Sequence, residues 1–192
     1  MSDKSRAEAW SLLNEYTTSA SLLKHALSVE ACMRWYAQHF EQPQAQVELW
    51  GMTGLLHDFD YEKYPEPVAP DGHPFKGQSI LRELGYPEEL STAIMGHATY
   101  SGVARESLMA KTLFAVDELS GLVTAAVLVR PDKKIETLEA RSVLKKMKDK
   151  AFAKGCNRDD IRLGAEELKL ELAQHVENVI TAMRAQAAEL GL

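Results

Sequence analysis

The apolar residues of this chain recur every three or four positions almost from end to end, and that period restricts the fold more than any other feature. A period near 3.6 places such residues on one face of a helix, whereas a half-buried strand alternates with period two. Arg6–Tyr16 carries Ala7, Trp10 and Leu13 at helical spacing, and Ser19–Phe40 carries Leu22, Ala26, Val29, Met33 and Tyr36–Ala37 on one stripe. Pro43 suits a first turn, and Ala45–Asp58 follows with Val47, Trp50, Gly54 and Leu55. The stretch 59–72, rich in Pro, Asp and aromatic residues, has no helical period and reads as a loop of about a dozen residues, a length that often carries function.

Beyond it, Pro74–Leu84 reads as a short helix stopped by Gly85, and Pro87 opens a helix whose stripe is Leu90, Ile94 and His97. After a polar turn over 99–105, Glu106–Val129 is strongly apolar and ends at Arg130-Pro131. Thr137–Lys154 is amphipathic and basic, with Gly155 as its stop. Asn157 is placed as an N-cap for a helical stretch from Asp159 to about Glu189, with a break expected near Gly164. No repeat, low-complexity tract or strand pair stands out, so the predicted fold is all-α.

Length and charge bound the function classes. A chain of 192 residues suits one domain and buries a core without disulfides. A net charge of −6 argues against nonspecific binding to nucleic acid or anionic membrane. Cys32 and Cys156 match no CxxC pattern and are expected as free thiols in a reducing compartment. The N-terminus, Met1 to Arg6, runs into an amphipathic segment rather than a secretory signal. The longest apolar run, Leu122 to Val129, is too short to span a bilayer. A cytoplasmic location is expected.

Six histidines are present, and their placement matters more than their number. His25 lies between Leu22 at i−3 and Val29 at i+4, so it points inward. Alone, it would be a core histidine satisfied by one hydrogen bond. His57-Asp58 closes a helix after Leu55-Leu56. Adjacent helical residues diverge by about 100°, yet both reach a cation beside the helix end. Asp117 sits in the most apolar helix, with Leu113 and Phe114 at i−4 and i−3, where an aspartate is costly unless paired or metal-bound. A salt bridge to a neighbouring helix would serve equally well. His97 also falls on an apolar stripe. His73, in Asp71-Gly72-His73-Pro74, looks like an exposed loop histidine. Imidazoles and carboxylates converging in a helical bundle suit Mn, Fe, Co, Ni or Zn. There is no Gly-rich phosphate loop, GxSxG elbow or HExxH pair, and Cys32 has no electropositive setting that would make it a nucleophile.

Three segments resemble the HD superfamily of metal-dependent phosphohydrolases: Leu-Leu-Lys-His25-Ala-Leu-Ser-Val-Glu, Gly-Leu-Leu-His57-Asp58-Phe-Asp-Tyr-Glu and Ala-Val-Asp117-Glu-Leu-Ser-Gly-Leu. The resemblance covers residues 20–130 or so and implies an HD-like helical bundle, with a C-terminal helical extension over about 137–190. It implies that His25, His57, Asp58 and Asp117 hold a metal. His73 and His97 fall where many members carry ligands to a second ion, so one or two divalent ions are expected. The common extension His-Asp-Ile-Gly-Lys is replaced by His57-Asp58-Phe59-Asp60-Tyr61, which argues against a cyclic-dinucleotide phosphodiesterase. The whole chain looks like a small stand-alone bacterial group of predicted HD hydrolases.

The implied activity is hydrolysis of a small phosphate ester or nucleotide by metal-activated water, with no membrane or nucleic-acid partner. Asp58, Asp60 and Lys76 are the candidate catalytic groups, with Lys63 and Arg105 as further candidates near the loop. The lysines of Ser142–Lys154 read as a solvated face. Two other classes share the same ligands: a di-iron oxygenase of the HD type, and a non-catalytic ligand-binding HD module.

Overall fold

The computed structural model describes residues 4–67 and 70–192. Met1–Asp3 and, within the 59–72 loop, Val68-Ala69 lie outside the described residues. Every regular element among the described residues is helical, as the period requires: α1 (Arg6–Tyr16), α2 (Ala20–His39), α3 (Gln44–Leu56), α4 (Phe75–Glu83), α5 (Glu88–His97), a 3-10 turn (Thr99–Ser101), α6 (Leu108–Leu128), α7 (Ala140–Met147), α8 (Arg158–Glu167), α9 (Leu172–Arg184) and α10 (Ala187–Leu190). None of these helices is long and apolar enough to cross a membrane. The chain forms two compact units, with the boundary inside α6, between Leu113 and Phe114.

In the first unit, α1 opens with a capping box in which Ser5 and Glu8 satisfy each other's backbone N–H groups. Helix α3 lies along α2, and the contact is close at Gly54. A Cβ there would come within 2.9 Å of both Met33 Cγ and the Val29 carbonyl oxygen. The apolar stripe of α2 (Val29, Cys32, Met33, Tyr36) and that of α3 (Val47, Trp50, Leu55, Leu56) are buried. Burying a Leu of this kind contributes about 1.5–3 kcal/mol, so Leu55 and Leu56 draw the C-terminal end of α3, and the residues after it, into the core. The buried Glu30 carboxylate is matched by two guanidinium groups, Arg6 at 2.7 Å and Arg34 at 2.9 Å.

In the second unit, Val176, Val179, Ile180 and Met183 of α9 and Val143 and Met147 of α7 form buried stripes. Two sequence expectations fail here, each for a tertiary reason. The basic helix predicted over Thr137–Lys154 is only Ala140–Met147. Arg158 donates to the carbonyls of Phe152, Ala153 and Cys156, so these acceptors serve a turn rather than a continued helix. The break expected near Gly164 is absent, because Gly164 lies inside α8. Its missing side chain admits Ala115 of α6, whose Cα would stand 2.5 Å from a Cβ at that position. The chain instead breaks after Glu167, where Lys169 adopts φ 57° and the N–H of Leu170 returns to the Ala165 carbonyl.

Both cysteines are free. Burial pushes the Cys32 thiol well above its ordinary range, and burial, then the charge of Glu118, raises Cys156 to about 11. Neither thiol is set up as a nucleophile.

Candidate metal centre

The centre is assembled from the end of α3, the loop after it, the entry to α4 and the end of α5, with His25 from α2. His57 is the C-cap of α3, still in helical geometry, and is fully buried. Its Nδ1–H donates to the Gly54 carbonyl oxygen at 2.8 Å, which turns Nε2 outward from the helix end. His25 Nε2 meets it at 3.2 Å. Asp58 begins the turn beyond, with Oδ2 3.5 Å from His57 Nε2.

Asp58 Oδ1 faces the other way. It lies 3.2 Å from His73 Nε2 and 3.3 Å from His97 Nε2, and the two Nε2 atoms are 3.3 Å apart. His97 ends α5, and its Nδ1–H donates back to the Ile94 carbonyl. His73 Nδ1–H donates to Asp60 Oδ1 at 2.7 Å. His57, His73 and His97 therefore each spend Nδ1–H on a fixed acceptor and present Nε2 to Asp58. A hydrogen bond at one imidazole nitrogen orients the ring and sets the tautomer that leaves the other nitrogen as a ligand.

Two groups result, each with ligand atoms within 4.8 Å of one another: His25, His57 and Asp58, and Asp58, His73 and His97. Ligands about 2.1 Å from a shared ion stand roughly 3.0–3.4 Å apart at tetrahedral to octahedral angles, close to the nitrogen separations here. Neutral imidazole and carboxylate are the donors expected for Mn, Fe, Co, Ni or Zn. The residues present fit a divalent metal.

Electrostatics ties the same residues together. Burial works to raise the Asp58 carboxyl, but the charge of His57 and hydrogen bonds from His57, His73 and His97 outweigh it and hold it well below the usual carboxylate range. Burial opposes protonation of His73, yet hydrogen bonds and charge from Asp58 and Asp60 raise it to about 9. Asp58 is more open than the three histidines it faces: its side chain is 24% exposed, against 0% for His57, 4% for His73 and 7% for His97.

The loop around the centre is pinned rather than loose. Phe59 is fully buried, edge-on to Tyr16 with ring centroids 5.2 Å apart. Thr17 Oγ1 donates to the Phe59 carbonyl at 3.0 Å. Glu62 accepts from the N–H groups of Thr18 and Ser19 at 2.9 and 3.0 Å and from the Thr18 hydroxyl at 2.6 Å. It thereby caps the start of α2, the helix that carries His25 and has no side-chain cap of its own. His73 N–H returns to the Tyr64 carbonyl, and Tyr100 OH donates to the His73 carbonyl at 3.1 Å.

His73, whose local sequence reads as an exposed loop but whose place in the order of histidines implies a second-ion ligand, is 3% exposed. Asp60 is fully buried, with Oδ2 accepting from Gly77 N–H at 2.7 Å. Lys76 lies over the Tyr64 ring, Lys63 over the Tyr16 ring, and Arg105 donates to the Gly96 carbonyl. Asp117 is half-buried on α6, at the start of the second unit. Glu62, Gly77 and Tyr100 escaped sequence reasoning. Only the i, i+2, i+4 series of acids at 58, 60 and 62 hinted at two of these contacts.

A family model for the HD domain matches residues 22–122, just over half the chain and the span that carries all six candidate ligands. The chain belongs to the HD domain family. That family comprises metal-dependent hydrolases, and an all-helical fold with a His/Asp cluster able to hold a metal is what membership requires. Comparison with curated proteins and with solved structures returned no match. The matched span holds His57-Asp58, with His25, His73 and His97 gathered about the pair.

Proposed function

We propose that this HD domain protein is a two-metal phosphohydrolase acting on a small phosphate ester or nucleotide. The observation that carries the proposal is the division of Asp58 between two histidine pairs. Oδ2 faces His57, which meets His25, and Oδ1 faces His73 and His97. A carboxylate so placed would offer one oxygen to each of two ions.

When bound, divalent ions supply water of lowered pKa and polarise a phosphoryl oxygen. The chain's own residues do the rest. His25 and His57 would hold one ion, and His73 and His97 the other. The Nδ1–H bonds to Gly54, Ile94 and Asp60 keep the rings from turning away. Asp58, more open than the three histidines it faces, marks the side from which a phosphoryl group arrives. Tyr61 and Tyr100, each 43% exposed and both beside His73, flank that approach.

The test is inorganic phosphate release from a panel of phosphate monoesters and nucleotides, by protein stripped with chelator and reloaded with Mn, Fe, Co, Ni or Zn. Release that needs the metal and falls more than about 100-fold in Asp58→Ala, beyond the usual cost of losing an outer partner, supports the proposal. Oxygen consumption in place of phosphate release would assign the centre to oxygenase chemistry, and no turnover with any metal would make it a binding module.

A further inference from the structure

We infer that Asp60 is a positioning residue whose contact with Gly77 aims His73 and so governs occupancy of the His73–His97 metal position. This rests on the two-metal reading above and goes beyond it, because it assigns a group outside the ligand set to one of the two ions.

Three observations carry it. First, both Asp60 oxygens are committed. Oδ1 accepts from His73 Nδ1–H at 2.7 Å and Oδ2 from Gly77 N–H at 2.7 Å. Second, Asp60 is fully buried, so it does not reach a substrate as an acid, a base or a phosphate clamp. Third, the carboxylate occupies the space a side chain at 77 would fill. A Cβ on Gly77 would stand 2.7 Å from Asp60 Cγ, 2.8 Å from Oδ2 and 2.9 Å from Oδ1. Position 77 admits a carboxylate onto its backbone N–H because it has no Cβ. The result is a chain of contacts from the first turns of α4, through Asp60, to the ring of His73, and on to Asp58 Oδ1. The His25–His57 pair has no part in it, since His57 is oriented by Gly54 instead.

The separation of the two supports makes the inference specific. An amide at position 60 offers one acceptor oxygen where two donors converge. In Asp60→Asn, either His73 or Gly77 therefore faces an NH2 group, and the ring of His73 loses its fixed direction. Gly77→Ala reaches the same end from the other side, by displacing the carboxylate. Loss of the hydrogen-bond partner of a metal-binding imidazole typically lowers metal affinity about 10–100-fold.

The experiment is a Mn²⁺ titration of the wild-type protein, Asp60→Asn and Gly77→Ala, read by metal-to-protein ratio and by electron paramagnetic resonance, with circular dichroism as a check on helical content. The expected result is two ions with a spin-coupled signal in the wild type. Both variants should show one tight ion with an isolated six-line signal, a second ion bound about 10–100-fold more weakly, and unchanged helicity. Two ions bound with wild-type affinity in Asp60→Asn would overturn the inference alone. Loss of both ions together with helical signal in both variants would also overturn it, by making the contact a support of the fold. A wild type that takes one ion at saturation would overturn the two-metal reading and the inference with it. The metal-free wild type gives a reading that needs no variant. The His73 Nδ1–H bonded to a carboxylate should give a far-downfield proton resonance that is lost in Asp60→Asn, and its absence from the wild type would contradict the inference.

Discussion

His73 Nε2 lies 3.2 Å from Oδ1 of Asp58, on the opposite carboxylate oxygen from the one that faces His57. If Asp58 serves two ions, histidines on its two sides affect different ions. His97→Ala should lower the metal-to-protein ratio from two toward one and leave an ion that depends on His25. His25→Ala should remove the other. Elemental analysis of the two single variants checks this. A ratio unchanged in either one contradicts the assignment of that histidine.

Glu62 joins the segment that follows the His-Asp pair to the start of α2. Hydrogen bonds from Thr18 and Ser19 hold its carboxyl below the usual range. A group with a depressed folded-state value contributes stability above its unfolded value, and that contribution is lost as pH falls through the folded value. Glu62→Ala should lower the melting temperature at neutral pH and weaken the ion held through His25 more than the one held through His97. Glu62→Gln, which keeps an acceptor, should recover most of the stability. Equal weakening of both ions would show that the cap has no directed effect.

His175 of α9 is a histidine of a different kind. It is fully buried and shares a hydrogen bond of 2.9 Å with the Ala115 carbonyl. Burial lowers it from 6.5 to about 4, partly offset by that bond. The folded value lies below the unfolded one, so its neutral form supports the fold above pH 6.5. That support drains away as pH falls toward 4, to a limit of about 3 kcal/mol. In His175→Gln, which keeps a donor for Ala115, stability should change less between those two pH values. Denaturant unfolding at several pH values measures it, and equal slopes for both proteins would count against this account.

Gly164 is the glycine whose role sequence reasoning misjudged. Its place against the Ala115 backbone predicts that Gly164→Ala destabilises the protein by about 1–3 kcal/mol, as overpacking does, although Ala is the better helix former. Thermal unfolding decides between the two effects. A stabilised variant would mean that α8 and α6 separate easily at this point.

The helical fold was legible because the period of apolar residues is a local property, and Pro43, Gly85 and Asn157 stand at the ends of helices they can cap or stop. What escaped was tertiary. The run after Met147 has helical composition, but Arg158 takes its carbonyls. Gly164 has the residue type of a helix break and the job of a close contact. At the site, three of the residues that the structure brings together were legible: His25 and His97 fall on apolar stripes, and His57 follows an apolar run. The burial of His73 was not legible locally, because it depends on Asp60, Tyr64 and Tyr100, which reach it from separate stretches of chain. Asp60 and Lys76 were singled out for charge near a loop. The structure puts one beneath His73 and the other over Tyr64.

The most direct measurement is anomalous diffraction from crystals of the protein loaded with Mn²⁺. The account predicts two anomalous peaks flanking Asp58, one beside Oδ2 with His25 and His57, the other beside Oδ1 with His73 and His97. A single peak, or peaks away from Asp58, would contradict it.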